Sequence, residues 1–427
     1  MTVTVFITSL LAAMMIGMPI AFALMVCGLA LMLYLGNFDS QILAQNLING
    51  ADNFPLMAVP FFLMAGELMN AGGLSRRIVD AAMAWVGHLK GGLGYVAVVA
   101  SVLMASLSGA AVADTAAIAA LLMPMMRTAG YDLPRSAGLI SAGGIIAPII
   151  PPSIGFVLFG VAGGVSITQL FLAGIFPGVL MGVALAVTWW WVARRDQVLT
   201  APRVPMAERV RITGNAFWAF VLPVVIVGGL KFGVFTPTEA AVVAMVYALF
   251  VGLFVYRELR FRDLYRLFLV SAKMTAVVMF MVAAAVVSAW LIAYANIPEQ
   301  VTAMMQPFIG SPKMLMFMLM LLVVVVGTAL DFAPTILILT PVLMPLVKQS
   351  GIDPVYFGVL FVINNAIGLI TPPVGTVLNV AAGVARLPLS AVVRGVWPFL
   401  VAQLVILFLL VLFPDLVMVP AHWIGGH

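Results

Sequence analysis

The most regular feature of the chain is a series of long apolar segments separated by short polar loops. Most are near or above the roughly 20 residues that a helix needs to cross the ~30 Å hydrocarbon core of a bilayer. Because backbone in lipid must satisfy its own hydrogen bonds, such segments form helices rather than open strands. The pattern predicts an all-α polytopic membrane protein with apolar segments at 3–35, 54–74, 92–126, 136–165, 168–193, 216–234, 238–256, 267–295, 314–347, 355–384 and 390–418.

The first apolar segment is longer than a simple span requires. At 1.5 Å per residue, residues 3–35 would extend about 50 Å. One long tilted helix is favoured, and two helices broken near Gly17 and Pro19 are the alternative. The segment is also too long for the apolar region of a cleaved signal peptide, so we do not expect a leader here.

Two of the other segments are interrupted by small and polar residues. Segment 92–126 breaks at Ser106–Gly109, and segment 314–347 breaks at Gly327–Pro334. Flanking basic residues place both ends of the first on one side of the membrane, and tracing the spans places both ends of the second on the other side. A segment that enters and leaves on one side is a re-entrant helical hairpin, so the sequence predicts two of them.

Arginine-rich loops orient the predicted spans. Loop 194–211 contains five arginines and loop 257–266 contains four. Two apolar segments separate these loops, so both lie on one side, which the positive-inside rule makes cytoplasmic. The stretch 297–313 has only Glu299 and Lys313 as charges and is expected to be a periplasmic loop. The trace ends with the C-terminus in the periplasm.

The interrupted segments belong to an internal repeat. Pro134, Gly138, Pro152, Gly155 and Gly163 recur at an offset of 220 residues as Pro354, Gly358, Pro372, Gly375 and Gly383, and upstream Leu122-Met123-Pro124 recurs as Leu343-Met344-Pro345. Five spans lie between the copies, and because that number is odd the second copy is inverted in the membrane. Inverted repeats with broken helices place the substrate near the bilayer midplane. Chance agreement in a biased composition is the alternative, which the shared order over roughly fifty residues disfavours.

This repeat divides the chain into five predicted parts. In each transport repeat a hairpin precedes a broken helix, at 92–126 and 136–165 in the first and at 314–347 and 355–384 in the second. The parts are N-terminal scaffold helices (1–90), the first transport repeat (91–180), scaffold or arm helices (181–312), the second, inverted transport repeat (313–385), and a C-terminal helix and tail (386–427).

Composition excludes several classes of function. Apolar residues make up 64% of the chain and charged residues 8%, so a soluble enzyme or a nucleic-acid-binding protein is ruled out. A single cysteine, Cys27, leaves no disulfide framework and no thiolate metal site. No phosphate-binding glycine loop of the ATPase type is present, so we expect a non-enzyme with no organic cofactor.

Candidate chemistry lies at the breaks. Each broken helix is interrupted at a double proline, in Pro151-Pro152-Ser153 and in Thr371-Pro372-Pro373. Proline leaves carbonyls without helical partners, which is costly in hydrocarbon unless something coordinates them. With the hydroxyls of Ser106, Ser108, Ser153 and Thr371, these neutral oxygens suit sodium. Half-helix amino termini favour an anionic substrate group at the same place. Kinks that serve packing alone are the alternative, but they would not require two matched hairpins.

Two acidic residues lie inside predicted membrane segments, where ionisable groups are functional candidates. Asp114 and Asp331 are suited to coordinating a cation, relaying a proton or accepting a substrate hydrogen bond, and capping of a half-helix is the alternative. Asp331 is favoured because the break around it is longer. The residues expected at the substrate are Asp114, Ser153, Asp331 and Thr376.

Several stretches together resemble the large membrane subunit of TRAP transporters, the tripartite ATP-independent periplasmic type. The resemblance covers nearly the whole chain and implies an elevator transporter of the bacterial inner membrane, driven by sodium. It also implies two partners, a small four-helix membrane subunit and a periplasmic substrate-binding protein, and carboxylate substrates such as C4-dicarboxylates, sialic acids or sugar acids. The matching stretches are FPLMAVPFFLMAGELMNAGG (54–73), SLSGAAVADTAA (106–117), IIPPSIG (149–155), GVFTPTEAAVVA (233–244) and GLITPPVGTVLNVAAGVA (368–385).

The resemblance also implies two sodium sites. The second would use Gly327, Gly368 and Thr371. The chain departs from the family pattern at the first site, with SGAA followed by Ala113-Asp114 where relatives have a serine-rich turn, and with Gly144–Pro148 where they often have GTLG before the double proline. Asp114 would then replace the missing hydroxyls. The first site would use Ser106, Ser108, Ala147, Ile150 and Pro151.

Two other functions remain as alternatives. A stand-alone sodium/dicarboxylate-type anion symporter would have the same broad architecture without partner subunits. A scaffold subunit without its own transport path would not need paired broken helices, so it is disfavoured.

Overall fold

The computed structural model describes residues 2–194, 196, 198–328 and 330–425. Arg195, one of the arginines in the predicted cytoplasmic loop, and Ala329, in the second predicted interruption, lie outside the described residues. Within the described residues every regular element is a helix and no strand occurs. The all-α prediction is therefore confirmed.

The N-terminal apolar segment forms two helices that pack against each other, α1 (Thr2–Met15) and α2 (Ile20–Tyr34). The single tilted helix favoured from the sequence is wrong. The chain reverses because Gly17 adopts a positive φ of 79° and Pro19, which has no N–H, directly precedes α2.

Three further helices precede the first repeat: α3 (Ser40–Ala51), α4 (Ala58–Ala71) and α5 (Leu74–Val86). The Asp39 carboxylate caps α3 by accepting hydrogen bonds from the backbone N–H groups of Gln41 and Ile42. A 3₁₀ turn, Phe54–Met57, leads directly into α4. This part is therefore built from several short helices, and the sequence predicted only the apolar one at 54–74.

The first repeat follows the predicted pattern closely. Segment 92–126 is a hairpin of two helices with its tip at Gly109 and Ala110, and segment 136–165 is a helix broken between Gly144 and Ile154. The elements are α6 (Gly92–Ser108), α7 (Ala111–Thr128), α8 (Leu133–Gly144), α9 (Ile154–Gly163) and α10 (Ile167–Ala193).

Five helices connect the repeats. A capping box begins α13: the Glu239 carboxylate accepts from the Thr236 backbone N–H at 2.8 Å, and the Thr236 hydroxyl accepts from the Glu239 N–H at 3.3 Å. The stretch expected to be a loop after residue 297 is instead helical. The elements are α11 (Met206–Asn215), α12 (Phe217–Lys231), α13 (Pro237–Phe250), which ends in a π-helical turn (Val251–Val255), α14 (Phe261–Tyr294) and α15 (Ile297–Ile309).

The second repeat has the same order of elements as the first. A hairpin, α16 (Pro312–Gly327) and α17 (Phe332–Gln349), precedes a helix broken between Gly368 and Thr376. The broken helix consists of α18 (Pro354–Gly368) and α19 (Thr376–Ala385), followed by a long helix, α20 (Leu389–Leu412), and a short one, α21 (Asp415–Gly425).

The repeats contact each other reciprocally. Helix α7 packs on α19 while its counterpart α17 packs on α9, and α8 packs on α20 while α18 packs on α10. Exchanged contacts of this kind arise when two units are related by a two-fold axis. The α8–α20 pair approaches most closely at two glycines, where a Cβ on Gly138 would lie 2.6 Å from the Gly395 carbonyl carbon.

Among the described residues, seven helices are long and apolar enough to cross a membrane, and the α11–α12 pair, bent by 57°, would make an eighth if it forms one broken span. Five of the seven are α7, α10, α14, α17 and α20; α4 with its preceding 3₁₀ turn and α13 with its π-helical end complete the set. The chain is a multi-pass membrane protein.

Candidate functional site

The tip of the first hairpin is a tight turn held by side-chain hydrogen bonds. Helix α6 ends at Ser108, and Gly109 follows with a positive φ of 62°. The Ser108 hydroxyl donates to Asp114 Oδ1 at 2.5 Å and accepts from the Ala110 N–H at 3.2 Å. The Ser106 hydroxyl donates to the Leu103 carbonyl of its own helix at 2.6 Å.

This tip lies against the first double-proline break. Gly109 is in direct contact with the Pro152 carbonyl, so a side chain at this position would collide with the backbone of the break. Ser153 caps α9 by accepting from the Phe156 N–H at 3.1 Å, and its hydroxyl donates to the Pro148 carbonyl at 2.5 Å. The turn that contains Ser108 and the break that contains Ala147, Ile150, Pro151 and Ser153 are thus brought together, and all five residues are buried.

Asp114 and its neighbour Thr115 lie under this tip. Asp114 is 1% exposed and its second carboxylate oxygen, Oδ2, has no hydrogen-bond partner. The Thr115 hydroxyl is also buried without a partner and faces Gly144, at the end of α8. Buried polar atoms without partners cost about 1–3 kcal/mol each, so this pair is suited to holding a ligand. Sequence reasoning missed Thr115, although a hydroxyl beside a membrane-embedded acid was a visible signal.

The second hairpin meets the second break through two glycines. A Cβ on Gly368 would lie 2.8 Å from the Gly327 carbonyl oxygen, and a Cβ on Gly327 would lie 3.6 Å from Gly368 Cα. Thr371 is half-buried, and its hydroxyl donates to the Ile367 carbonyl at 2.8 Å. Gly327 and Gly368 are therefore in contact, and Thr371 lies three residues after Gly368; their role as sodium ligands stays a prediction.

Asp331 and Thr376 connect the second hairpin to the second broken helix. The Thr376 hydroxyl, at the start of α19, donates to Asp331 Oδ1 at 3.4 Å. Asp331 occupies the capping position of α17 but makes no side-chain cap hydrogen bond, so helix capping does not account for its carboxylate. It is half-buried, whereas Asp114 is almost fully buried.

The first break lies beside the tip of the second hairpin. A Cβ on Gly155, in the first turn of α9, would lie 2.6 Å from Phe332 Cζ, in the first turn of α17. The contacts therefore run in sequence from the first hairpin tip to the start of α9, then to the start of α17, and through Asp331 and Thr376 to the start of α19. Helix amino termini carry unsatisfied N–H groups and the positive end of the helix dipole, so this arrangement favours an anion.

Two buried asparagines in α18 were also missed from the sequence. Asn364 and Asn365 are 1% and 2% exposed. The Asn364 amide donates to the Met320 carbonyl at 2.7 Å, whereas Asn364 Oδ1 and both polar atoms of the Asn365 amide have no partner. Two adjacent amides in an otherwise apolar helix were the signal that could have found them.

A cavity of about 870 Å³ lies apart from this site, between α5, α11 and the end of α13. Its lining charges are largely paired: Arg77 contacts Glu258 at 2.6 Å and Arg211 contacts Glu208 at 3.0 Å. None of the described residues at the helix breaks or hairpin tips lines this cavity, so the breaks rather than the cavity form the candidate site.

Known proteins resemble this chain over almost its entire length. The 2,3-diketo-L-gulonate TRAP transporter large permease protein YiaN of Escherichia coli is 55% identical over 425 residues, covering 100% of both chains. A putative TRAP transporter large permease protein of Haemophilus influenzae is 55% identical over 424 residues, covering 99% of this chain and 100% of that one.

One solved structure supports the fold. The YdaH transporter of Alcanivorax borkumensis, whose crystal structure has an unusual topology, superposes with a TM-score of 0.62 at 15% sequence identity, covering 90% of this chain and 87% of that one.

The family profile of the tripartite ATP-independent periplasmic transporter, DctM component, matches residues 7–416. With this match and two relatives at 55% identity, the chain belongs to the DctM family, the large permease subunits of TRAP transporters.

Proposed function

We propose that this permease imports an organic acid together with sodium. The observation that carries the proposal is the meeting of three helix amino termini. The first turns of α9 and α17 are in contact, and α19 is linked to α17 through Asp331 and Thr376. Positive dipole ends directed at one place stabilise a carboxylate without requiring a lysine or arginine.

Sodium binds at the two hairpin–break contacts. Hard cations prefer oxygen ligands, and the breaks supply backbone carbonyls and hydroxyls. The Asp114 oxygen that has no hydrogen-bond partner adds one more oxygen beside the first site. The ligands proposed are Ser106, Ser108, Ala147, Ile150 and Pro151 at the first site, and Gly327, Gly368 and Thr371 at the second.

The substrate is a carboxylate, and a sugar acid is the class best supported. The relative named for 2,3-diketo-L-gulonate is 55% identical to this chain, and an acid of that type carries both a carboxylate and several oxygens. The carboxylate would meet the helix starts, and the remaining oxygens would meet Asp114, Ser153, Asp331 and Thr376.

Transport follows an elevator motion of the two repeats against the other helices, in the bacterial inner membrane. Family membership supports a small four-helix membrane subunit and a periplasmic binding protein as partners, the binding protein delivering the acid. The arginine-rich loops face the cytoplasm and the C-terminus faces the periplasm, in agreement with the positive-inside rule.

Reconstituted uptake tests this proposal. The chain, co-purified with its proposed small membrane subunit, is placed in liposomes, and uptake of radiolabelled 2,3-diketo-L-gulonate is followed with the proposed binding protein outside. An inward sodium gradient should drive accumulation, and replacing sodium with choline should abolish it. Full-rate uptake without the binding protein would favour the stand-alone symporter, and accumulation without sodium would contradict ion coupling.

A further inference from the structure

Asn365 is a buried amide with no structural hydrogen bond to explain it. It lies in α18, is 2% exposed, and neither its oxygen nor its nitrogen has a partner among the described residues. Its neighbour differs, because the Asn364 amide fastens α18 to α16 through the Met320 carbonyl at 2.7 Å. An unpartnered amide in a packed interior destabilises the fold, so a ligand is the natural reason for its presence.

The Asn365 oxygen is directed at the second hairpin–break contact. Oδ1 lies 4.0 Å from the position that a Cβ on Gly327 would occupy, and Gly327 is the residue whose carbonyl meets Gly368. Asn365 precedes Gly368 by less than one helical turn, so its side chain and the carbonyls of the break share one neighbourhood.

The fold itself does not require polarity at this position. With the offset of 220 residues, Asn365 corresponds to Ile145 in the first repeat and Asn364 corresponds to Gly144. Ile145 is fully buried, and the unpartnered polar atoms beside the first break come instead from Asp114 and Thr115 on the hairpin. The same architecture therefore accepts an apolar side chain where the second repeat has the amide.

We propose that Asn365 Oδ1 is a further ligand of sodium at the second site. The inference rests on the proposed sodium coupling and adds a residue that neither the sequence pattern nor the family resemblance indicated. The amide supplies a neutral oxygen, in keeping with the carbonyls of Gly327 and Gly368, so the second site would bind its ion without a full negative charge.

Two substitutions separate an ion ligand from a packing residue. Asn365→Leu removes both polar atoms at similar volume, and Asn365→Asp keeps an oxygen where Oδ1 lies. The matched control is Ser141→Ala in α8, because the Ser141 hydroxyl is buried but already donates to the Ala137 carbonyl of its own helix at 2.8 Å. The thermal midpoint of the full-length purified chain is followed as sodium chloride replaces choline chloride at constant ionic strength.

We expect sodium to raise the midpoint of the wild type and of Ser141→Ala at the same concentrations. Asn365→Leu should need roughly five- to thirtyfold more sodium for half of the rise, while its midpoint without sodium stays equal or increases because an unpartnered amide has been removed. Asn365→Asp should respond to sodium at concentrations close to those of the wild type. Should Asn365→Leu fail to fold, Asn365→Ala supplies the same comparison.

The possible failures are distinguishable. A wild type whose midpoint ignores sodium would overturn both the sodium coupling and this inference. A wild type that responds, with Asn365→Leu responding identically, would overturn the inference alone. In the uptake assay, Asn365→Leu could instead need more organic acid for half-maximal uptake while its dependence on sodium stays unchanged. That result would assign the Asn365 amide to the substrate and would also overturn the inference.

Discussion

Asp114, Thr115, Asn364 and Asn365 all contribute buried polar atoms without partners, and all four lie beside a break. Each such atom costs about 1–3 kcal/mol when no ligand satisfies it. A chain folded for stability alone would place apolar side chains here, as it does at Ile145. Sites that sacrifice local stability in this way are usually functional.

Thr371→Val tests the second sodium site at the level of one oxygen. The hydroxyl hydrogen is already donated to the Ile367 carbonyl at 2.8 Å, so the oxygen keeps lone pairs for an ion. Losing one neutral ligand should weaken sodium binding by about 1–2 kcal/mol, and the sodium concentration for half-maximal uptake should rise roughly five- to thirtyfold.

Thr188→Val is the matched control for this variant. Thr188 lies in α10, is also half-buried, and its hydroxyl donates to the Ala184 carbonyl at 2.7 Å, so it makes the same hydrogen bond within its own helix away from the breaks. If both variants lose stability equally and neither changes the sodium curve, Thr371 serves only the helix end.

At the scale of elements, the N-terminal pair α1–α2 is a third hairpin. Gln300 Nε2 donates to the Thr2 hydroxyl at 3.1 Å, and Asn37 Nδ2 donates to the Tyr294 hydroxyl at 2.8 Å. Both ends of the pair therefore lie at the carboxyl end of α14. The turn between α1 and α2 lies nearer the amino end of α14, since Phe22, at the start of α2, packs on Phe280 with ring centroids 5.1 Å apart. The pair enters and leaves on one side.

Cysteine labelling tests this arrangement. In a Cys27→Ala background, which removes the single native cysteine, Thr4→Cys and Asn37→Cys should both react with an impermeant maleimide added from the periplasmic side. Lys313→Cys, in the first turn of α16, is the reference for that side. Labelling of Thr4→Cys and Asn37→Cys from opposite sides would mean that the segment crosses the membrane once.

The same background tests the inversion of the two repeats. Thr128 and Lys348 are exposed and lie at corresponding ends of the two hairpins, α7 and α17. Because the copies are inverted, Thr128→Cys should label only from the cytoplasm and Lys348→Cys only from the periplasm. Labelling of both from one side would show that the repeats are parallel.

At the scale of the whole molecule, the two repeats depend on each other for packing. A close contact between α8 of the first repeat and α20, the helix that follows the second, is made by Gly138 and Gly395, where Gly395 touches the Pro134 carbonyl. Small residues allow such close backbone contact between helices in lipid, where packing rather than the hydrophobic effect drives association.

Gly395→Ala should therefore lower the thermal midpoint of the purified chain. The added methyl group would meet the Pro134 backbone, and overpacking of a tight contact costs about 1–3 kcal/mol. Gly228→Ala in α12 is the control, because a Cβ there would meet nothing within 4 Å and alanine is the better helix former. Equal midpoints for the two variants would show that the glycine contact does not hold the repeats together.

The local sequence was sufficient for the long apolar helices of the two repeats and for their interruptions. It did not predict α3, α5, α11 and α15, or the division of residues 3–35 into α1 and α2. Hairpin tips at Gly109 and before Phe332, and breaks after Gly144 and Gly368, lie within the segments predicted, because hydropathy and proline act on neighbouring residues. The family resemblance implied that Gly327 and Gly368 come together, which the local sequence around either glycine does not predict.

Other features depended on residues far apart in the chain. The sequence favoured Asp331 over Asp114 as a functional residue because the interruption around Asp331 is longer. The burial of Asp114 and its hydrogen bond with Ser108 instead result from how the tip of the first hairpin packs. Likewise, Asn365 lacks a hydrogen-bond partner among the described residues because the packing of α18 against α16 provides one for the Asn364 amide and none for Asn365.

By itself, the sequence determined an all-α membrane protein with two repeats, because segment length, hydropathy and proline positions constrain each helix independently of its partners. Only the tertiary structure decided that α1 and α2 fold back beside α14, and that the starts of α9, α17 and α19 meet. Those outcomes depend on contacts between segments separated by up to several hundred residues, whose relative stability is set by side-chain packing and not by any pattern within one segment.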